Sequence, residues 1–197
     1  MFPVISLIRH GQTVWDAEKR PQGQLDSPLT DLGWQQAAAH AGRLSAVPFV
    51  RAYTSPLGRA RSTAERVLER RSLPLTVLDD LAELHWGNLA GLFPTERELQ
   101  FPALVLARQA DKWNTPVPGG ESYASARPRA VRAVQQMYAD GPGEVLVVGH
   151  EMIGRLLRME LCGLMELCGL SEEEALWLNH PQDTVFRFEN GQEATLS

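Results

Sequence analysis

The sequence predicts an α/β fold, a three-layer α/β/α sandwich around a mostly parallel sheet. Short apolar, β-branched runs alternate along the chain with segments whose apolar residues recur at helical spacing. Helices that connect successive strands cover both faces of a parallel sheet. The 197 residues, 44% hydrophobic and 22% charged, suit a globular protein with its own core. No linker-like stretch divides the chain, so we expect a single domain over 1–197.

The predicted strands are short apolar runs, and the last is followed by the turn dipeptide Asn190-Gly191. They cover 4–8, 49–53, 75–78, 144–148 and 184–188. The strongest is 144–148, Glu-Val-Leu-Val-Val, which leads directly into Gly149-His150.

Helices are predicted between these strands. Thr30 caps the first, and Trp34 belongs to the apolar face that we expect to pack in the core. Ser55-Pro56 offers a cap and a first-turn proline for the second, which runs to about Arg71. The remaining predicted helices cover 94–113 with an interruption at Pro102, a span ending near Tyr138, and a span beginning near Met152.

Charge and composition exclude several classes of protein. The net charge of −5 argues against a protein that coats nucleic acid or an anionic membrane. No apolar run approaches the roughly 18 residues of a spanning helix. The N-terminus lacks the basic start and cleavage site of a signal peptide, so we expect a cytoplasmic location. The two cysteines, Cys162 and Cys168, provide neither a disulfide framework nor a zinc-ligand pattern.

Two histidines follow predicted strands, and ligands bind at the carboxyl ends of strands in α/β sheets. Arg9-His10 follows the first strand, and His150 follows the strand 144–148. Arg59 lies in the first turn of the second predicted helix, where free backbone N–H groups also attract anions. A lone histidine or surface arginine is more often structural. Together, Arg9, Arg59 and a protonated His150 would surround a phosphate and lower the pKa of His10, which keeps that imidazole neutral and nucleophilic.

Three separated segments, in this order, resemble the histidine phosphatase superfamily, the phosphoglycerate mutase-like clan. They are Leu7-Ile8-Arg9-His10-Gly11-Gln12-Thr13, Thr54-Ser55-Pro56-Leu57-Gly58-Arg59-Ala60-Arg61-Ser62-Thr63-Ala64 and Val147-Val148-Gly149-His150. The resemblance also covers 22–30, 83–87, 118–122 and a closing segment around Asn179, and therefore spans most of the chain. The segment 118–122, Pro-Gly-Gly-Glu-Ser, resembles the short bacterial phosphatases of the superfamily, including those acting on α-ribazole phosphate.

The resemblance implies a role for each matching residue. His10 would attack phosphorus and form a phosphohistidine, while Arg9, Arg59 and His150 would bind the phosphoryl oxygens. Glu83 would protonate the leaving oxygen and then activate water, which requires a carboxyl that holds a proton near neutral pH. We expect no metal or cofactor, because the arginines and histidines supply the positive charge. The implied phosphate-binding set also includes Gln22, Gly23, Asp16 and Thr13.

The expected activity is metal-independent hydrolysis of a small phosphorylated metabolite. A cofactor-dependent phosphoglycerate mutase is the alternative, because 83–92 resembles the mutase segment, although the tract to Thr115 lacks paired arginines. A non-catalytic phospho-ligand-binding domain is a third hypothesis, which the retained nucleophile and arginines disfavour. The sequence lacks the motifs of cysteine phosphatases, of aspartate-nucleophile phosphatases and of P-loop nucleotide enzymes. We expect a monomer or a homodimer.

Two residues depart from the family pattern. Asp16 stands where the mutases usually have asparagine, and Glu151 follows His150 where glycine is frequent. Each would place negative charge near the phosphate, unless Asp16 pairs with an arginine.

Three further features have expected structural roles. The segment 93–122 is the predicted lid that sets specificity, and Trp86 and Trp113 either line its mouth or pack in the core. The repeat Met-Glu-Leu-Cys-Gly-Leu at 159–164 and 165–170 is interpreted as a small local duplication near a helix end.

Overall fold

The structure is a computed structural model that describes residues 2–163 and 170–196. In these residues six strands form a single sheet in the order β3-β2-β4-β1-β5-β6. The strands are β1 Pro3–Arg9, β2 Phe49–Thr54, β3 Leu75–Val77, β4 Gly143–Gly149, β5 Val185–Glu189 and β6 Gln192–Leu196. The pairs among β1 to β4 are parallel, whereas β5 pairs antiparallel with both β1 and β6. The predicted mostly parallel sheet is confirmed.

Helices connect the parallel strands, as predicted. They are α1 Val14–Ala17, α2 Asp31–Arg43, α3 Gly58–Leu68, α4 Pro94–Gln100, α5 Pro102–Ala110, α6 Tyr123–Ala139, α7 Glu151–Gly163 and α8 Glu172–Trp177. Pro102 separates α4 from α5 because proline has no N–H with which to continue the first helix.

The core lies in two layers, one on each face of the sheet. Side chains alternate across a strand, so Leu7 and Val147 belong to one buried cluster while Ile8 and Val148 belong to the other. The first cluster packs against α6 and α7, and the second packs against α3 and the end of α2. The sheet is therefore covered on both faces, which confirms the predicted three-layer sandwich.

The predicted core contact of Trp34 is wrong, because its side chain is 45% exposed. The buried face of α2 instead carries Gly33, Ala37 and His40. A Cβ atom on Gly11 would lie 2.3 Å from the carbonyl oxygen of Gly33, so the chain and the helix meet at their backbones. This close approach of two glycines sets the rotation of α2 and leaves Trp34 outside.

The predicted cap at Ser55 is also wrong. Helix α3 begins at Gly58, with Leu57 as the preceding N-cap residue. The Ser55 hydroxyl accepts a hydrogen bond from the Leu57 N–H at 3.2 Å and lies 2.7 Å from Nε2 of His150. Ser55 therefore does not cap α3, and its hydroxyl contacts His150 at the end of β4 instead.

The chain continues beyond the last predicted strand. Asn190 and Gly191 both have positive φ, 50° and 75°, as a two-residue hairpin turn requires. They connect β5 to β6, which the sequence reading missed although Asn-Gly is a strong hairpin signal.

Half of the hexad repeat lies outside the described residues, since 164–169 and with them Cys168 are not described. Cys162, in the first copy of the repeat, is buried on α7. In the ranges 2–163 and 170–196 no helix has the length and apolar character needed to cross a membrane.

Candidate active site

The two histidines predicted at strand ends lie side by side. Strands β1 and β4 pair in parallel, with Arg9 opposite Gly149. The backbone N–H of His10 then donates to the Gly149 carbonyl at 3.0 Å. The ring centroids of His10 and His150 are 5.0 Å apart, and both residues are buried. Parallel pairing thus brings two residues 140 positions apart into one site.

The hydrogen bonds of His10 identify Nε2 as its unprotonated nitrogen. Its Nδ1 lies 2.8 Å from the carbonyl oxygen of Gly11, so Nδ1 carries the hydrogen and donates it. Burial, followed by the charges of Arg59 and Arg9, lowers the pKa of His10 to about 3. The Nε–H of Arg59 points to Nε2 at 3.3 Å. His10 is therefore a neutral imidazole whose available nitrogen faces a guanidinium.

The Arg59 guanidinium is buried and fixed by backbone oxygens. Its Nη2 donates to the Gly23 carbonyl at 2.7 Å, and its Nη1 donates to the Leu25 carbonyl at 2.8 Å and to Asp26 at 3.1 Å. Gly23 has a φ of +55°, and a Cβ atom there would lie 2.7 Å from the backbone nitrogen of Trp86. A side chain at Gly23 would displace the carbonyl that orients the arginine.

The second arginine, Arg9, is paired with two carboxylates. Its Nη1 lies 2.9 Å from Glu151, and its Nη2 lies 3.5 Å from Asp16. The pairing of Asp16 with an arginine, left open by the sequence, is confirmed. Burial acts to raise the pKa of Asp16, but the neighbouring His10 and Arg9 and the hydrogen bonds from Thr13 lower it overall.

Asp16 is held by a polar network behind the pocket. One of its oxygens accepts the Thr13 N–H at 2.9 Å and the Gln182 side-chain amide at 3.0 Å. Gln22 donates to the Thr13 hydroxyl at 2.7 Å and to Asp16 at 3.3 Å. Gln22, Gly23 and Asp16 line the pocket, whereas Thr13 is fully buried beneath them. Thr13 therefore does not line the pocket itself, but it contacts Asp16 and Gln22, which do.

 Backbone amides at the start of α7 fix the position of the Glu83 carboxylate. One Glu83 oxygen accepts the N–H groups of Leu84 at 2.8 Å and Ile153 at 3.0 Å, and the other accepts the N–H of Met152 at 3.0 Å. Because a carboxyl oxygen has two lone pairs, the oxygen bound to Met152 can still carry a proton toward the pocket.

His150 differs from its expected state. Burial, followed by the charges of Arg59 and of its other neighbours, lowers its pKa well below the ordinary value, so the ring is neutral rather than protonated. Its Nε2 lies 2.7 Å from the Ser55 hydroxyl, while Nδ1 is buried and has no hydrogen-bond partner in the part of the chain described. The positive charge of the site thus comes from the arginines and Lys112 and not from His150.

His10, both arginines and Glu83 line a pocket of about 180 Å³, whereas His150 and Thr13 lie behind its lining. Its lining includes side chains that the sequence reading did not select. These are Arg20, Pro21, Lys112, Met152 and Arg155. Arg155 lies one helical turn after Glu151 and pairs with it at 2.7 Å, a spacing readable in the sequence, whereas no local pattern marks Lys112. Over 2–163 and 170–196, no three His, Cys, Asp or Glu side chains converge as metal ligands.

The fold and the pocket define an α/β protein with buried arginines and a neutral histidine at the carboxyl ends of its parallel strands. Residues 5–194 match the histidine phosphatase superfamily (branch 1), and the chain belongs to that family. The expected enzyme class, a phosphatase of this superfamily, is confirmed by the family and by relatives that carry phosphatase names.

Three comparisons illustrate the range of these relatives. The chain is 35% identical over 161 residues to a metal-independent phosphoserine phosphatase of Arabidopsis thaliana, covering 80% of this chain and 68% of the relative. It is 32% identical over 164 residues to 2,3-bisphosphoglycerate-dependent phosphoglycerate mutase 2 of Gloeobacter violaceus, covering 80% and 75%. The α-ribazole phosphatase structure from Shigella flexneri superposes with a TM-score of 0.84 at 25% identity, covering 93% and 89%.

Proposed function

We propose that this protein hydrolyses a phosphomonoester of a small metabolite, without a metal ion, through a phosphohistidine formed on His10. The observation that carries the proposal is the neutral His10 ring, whose unprotonated Nε2 accepts a hydrogen bond from the Arg59 guanidinium at 3.3 Å. A nucleophile and a group that binds phosphoryl oxygens are thus adjacent in one buried pocket. We further propose a cytoplasmic enzyme, monomeric or homodimeric, in which 93–122 forms the lid of a single domain.

In the first step, Nε2 of His10 attacks phosphorus and the bond from phosphorus to the ester oxygen breaks. Arg9 and Arg59 bind the phosphoryl oxygens and stabilise the charge of the in-line transition state. Neutral His150 contributes one ring N–H to the same oxygens. Glu83 gives its proton to the departing ester oxygen, which leaves as an alcohol.

In the second step, the Glu83 carboxylate removes a proton from water. The resulting nucleophile attacks phosphorus, the N–P bond breaks, and His10 returns to its neutral form with phosphate released. The backbone N–H groups at the start of α7 hold the Glu83 carboxylate in place through both steps. Gln22, Gly23, Asp16 and Thr13 support the phosphate-binding arginines through the contacts described above.

The test is phosphate release from p-nitrophenyl phosphate and a panel of metabolite monophosphates in the presence of EDTA. We expect turnover that EDTA does not reduce. Turnover that requires an added divalent metal would contradict the proposal. If 3-phosphoglycerate primed with a bisphosphate is isomerised faster than any ester is hydrolysed, the chain is a mutase instead. Binding of phosphate esters without either reaction would identify a non-catalytic domain.

Glu151 competes with phosphate for Arg9, and its removal has a predictable effect. Glu151→Gln should tighten the binding of inorganic phosphate by about two- to fivefold, the range expected for one exposed ion pair. The measurement is the inhibition constant of phosphate against p-nitrophenyl phosphate. Glu160→Gln is a matched control on the same helix, because Glu160 pairs with Arg127 instead. Weaker phosphate binding in Glu151→Gln would mean that Glu151 orients Arg9 rather than competing for it.

A further inference from the structure

The catalytic pocket opens beside a second, larger cavity. This outer cavity has a volume of about 1130 Å³, and Trp86 and Lys112 line both spaces. The catalytic pocket alone holds about 180 Å³. A substrate with its phosphoryl group at His10 and a leaving group too large for the inner pocket would therefore reach Trp86 and Lys112.

Lys112 is the exception among the five cationic side chains that line the catalytic pocket. Four of them are paired with carboxylates. These are Arg9 with Glu151 and Asp16, Arg20 with Glu18, Arg59 with Asp26, and Arg155 with Glu151. Lys112 makes neither a salt bridge nor a hydrogen bond within 2–163 and 170–196. Its Nζ lies 5.6 Å from the centre of the Tyr123 ring.

The surroundings of Lys112 favour an anion. Its side chain is half-buried, and its pKa is lowered by burial and then by the charges of Arg155 and Arg108, which outweigh the opposite effects of Glu151 and Glu83. A partly desolvated ammonium group crowded by other cations is stabilised when a negative group comes within hydrogen-bond distance.

We propose that Lys112 determines specificity by binding a second anionic group, a carboxylate or another phosphate, on the leaving-group side of the substrate. This inference rests on the proposed function, since it places the phosphoryl group at His10. The position of Lys112 at the junction of the two spaces puts its charge beside the leaving group. The substrate is then a phosphorylated acid or a bisphosphate rather than a neutral phosphorylated alcohol.

Matched substrate pairs test the two sources of negative charge. Glycerol 3-phosphate and 3-phosphoglycerate differ by a carboxylate in place of a hydroxymethyl group. Fructose 6-phosphate and fructose 1,6-bisphosphate differ by a second phosphate. For the native protein we expect kcat/KM to be about tenfold or more higher for the more anionic member of at least one pair, the size of one hydrogen bond to a charged group.

Two substitutions of Lys112 test whether this lysine causes the preference for the more anionic substrate. Lys112→Gln should lower the kcat/KM ratio of the preferred pair by about tenfold, and Lys112→Arg should restore most of it. Lys19→Gln is the matched control, because Lys19 is the other lysine of the sequence and does not line the pocket.

The outcomes separate this inference from the proposed function. Equal kcat/KM within both pairs, or a ratio unchanged in Lys112→Gln, overturns the role of Lys112 while hydrolysis itself stands. Absence of turnover on every ester, p-nitrophenyl phosphate included, overturns the proposed function and this inference with it.

Discussion

Replacing His10 with asparagine should lower kcat for phosphomonoester hydrolysis by at least about 10⁴-fold, because removal of a covalent nucleophile eliminates the reaction path. The asparagine amide can still donate to the Gly11 carbonyl, which Nδ1 of His10 contacts at 2.8 Å. The variant therefore keeps the local hydrogen bond and loses the nucleophilic nitrogen. Phosphate release under saturating substrate measures the effect.

The intermediate provides an independent readout of the same variant. Native protein quenched during turnover should carry one phosphoryl group on the peptide that contains His10, detected by mass spectrometry under alkaline conditions. His10→Asn should carry none. His85→Ala is the control, because His85 is exposed and does not line the pocket. Full activity of His10→Asn in a folded protein would reject the phosphohistidine mechanism.

Acid should destabilise the fold steeply below about pH 6.5, because buried histidines stay neutral in the native state. The pKa of His10 falls to about 3 through burial and then the charges of Arg59 and Arg9. Burial also lowers the pKa values of His40, His150 and His180. Below pH 6.5 these histidines bind protons in the unfolded chain but stay unprotonated in the native state. The free energy of unfolding therefore falls as pH falls. Above that pH both states are neutral and the contribution vanishes.

The expected size of this effect can be stated for His10. From pH 6.5 to pH 5 its contribution to the free energy of unfolding falls by about 2 kcal/mol, at about 1.4 kcal/mol per pH unit. Urea unfolding at pH 7.5 and pH 5 measures the total loss. In His10→Asn the loss between these two pH values should be smaller by about 2 kcal/mol. An equal loss in native and variant protein would show that His10 is protonated in the native state.

Much of the fold was predictable because hydrophobic periodicity is a local property. The strand 144–148 and the helix capped by Thr30 lie where the pattern placed them, and the interruption at Pro102 follows from its missing N–H. The exposure of Trp34 was not predictable, because the rotation of α2 depends on its contact with Gly11.

The sequence predicted which residues form the candidate site better than it predicted the contacts between them. The strand ends indicated His10 and His150, and Arg59 came from its place at a helix start. Glu83 came only from the family resemblance, since no local pattern distinguishes it from other glutamates. Its hydrogen bonds to the start of α7 depend on a contact between residues about 70 positions apart.

The sequence by itself determined the layered α/β architecture, the order of its main elements and the family, because periodicity and contiguous motifs are written along the chain. The tertiary structure alone decided which charges are paired. It paired Glu151 and Asp16 with Arg9 and kept His150 neutral. It also placed Lys112 at the junction of two cavities, with no carboxylate partner among the described residues. Charge pairing and protonation depend on distance and burial, and both are set by packing between segments that are far apart in sequence.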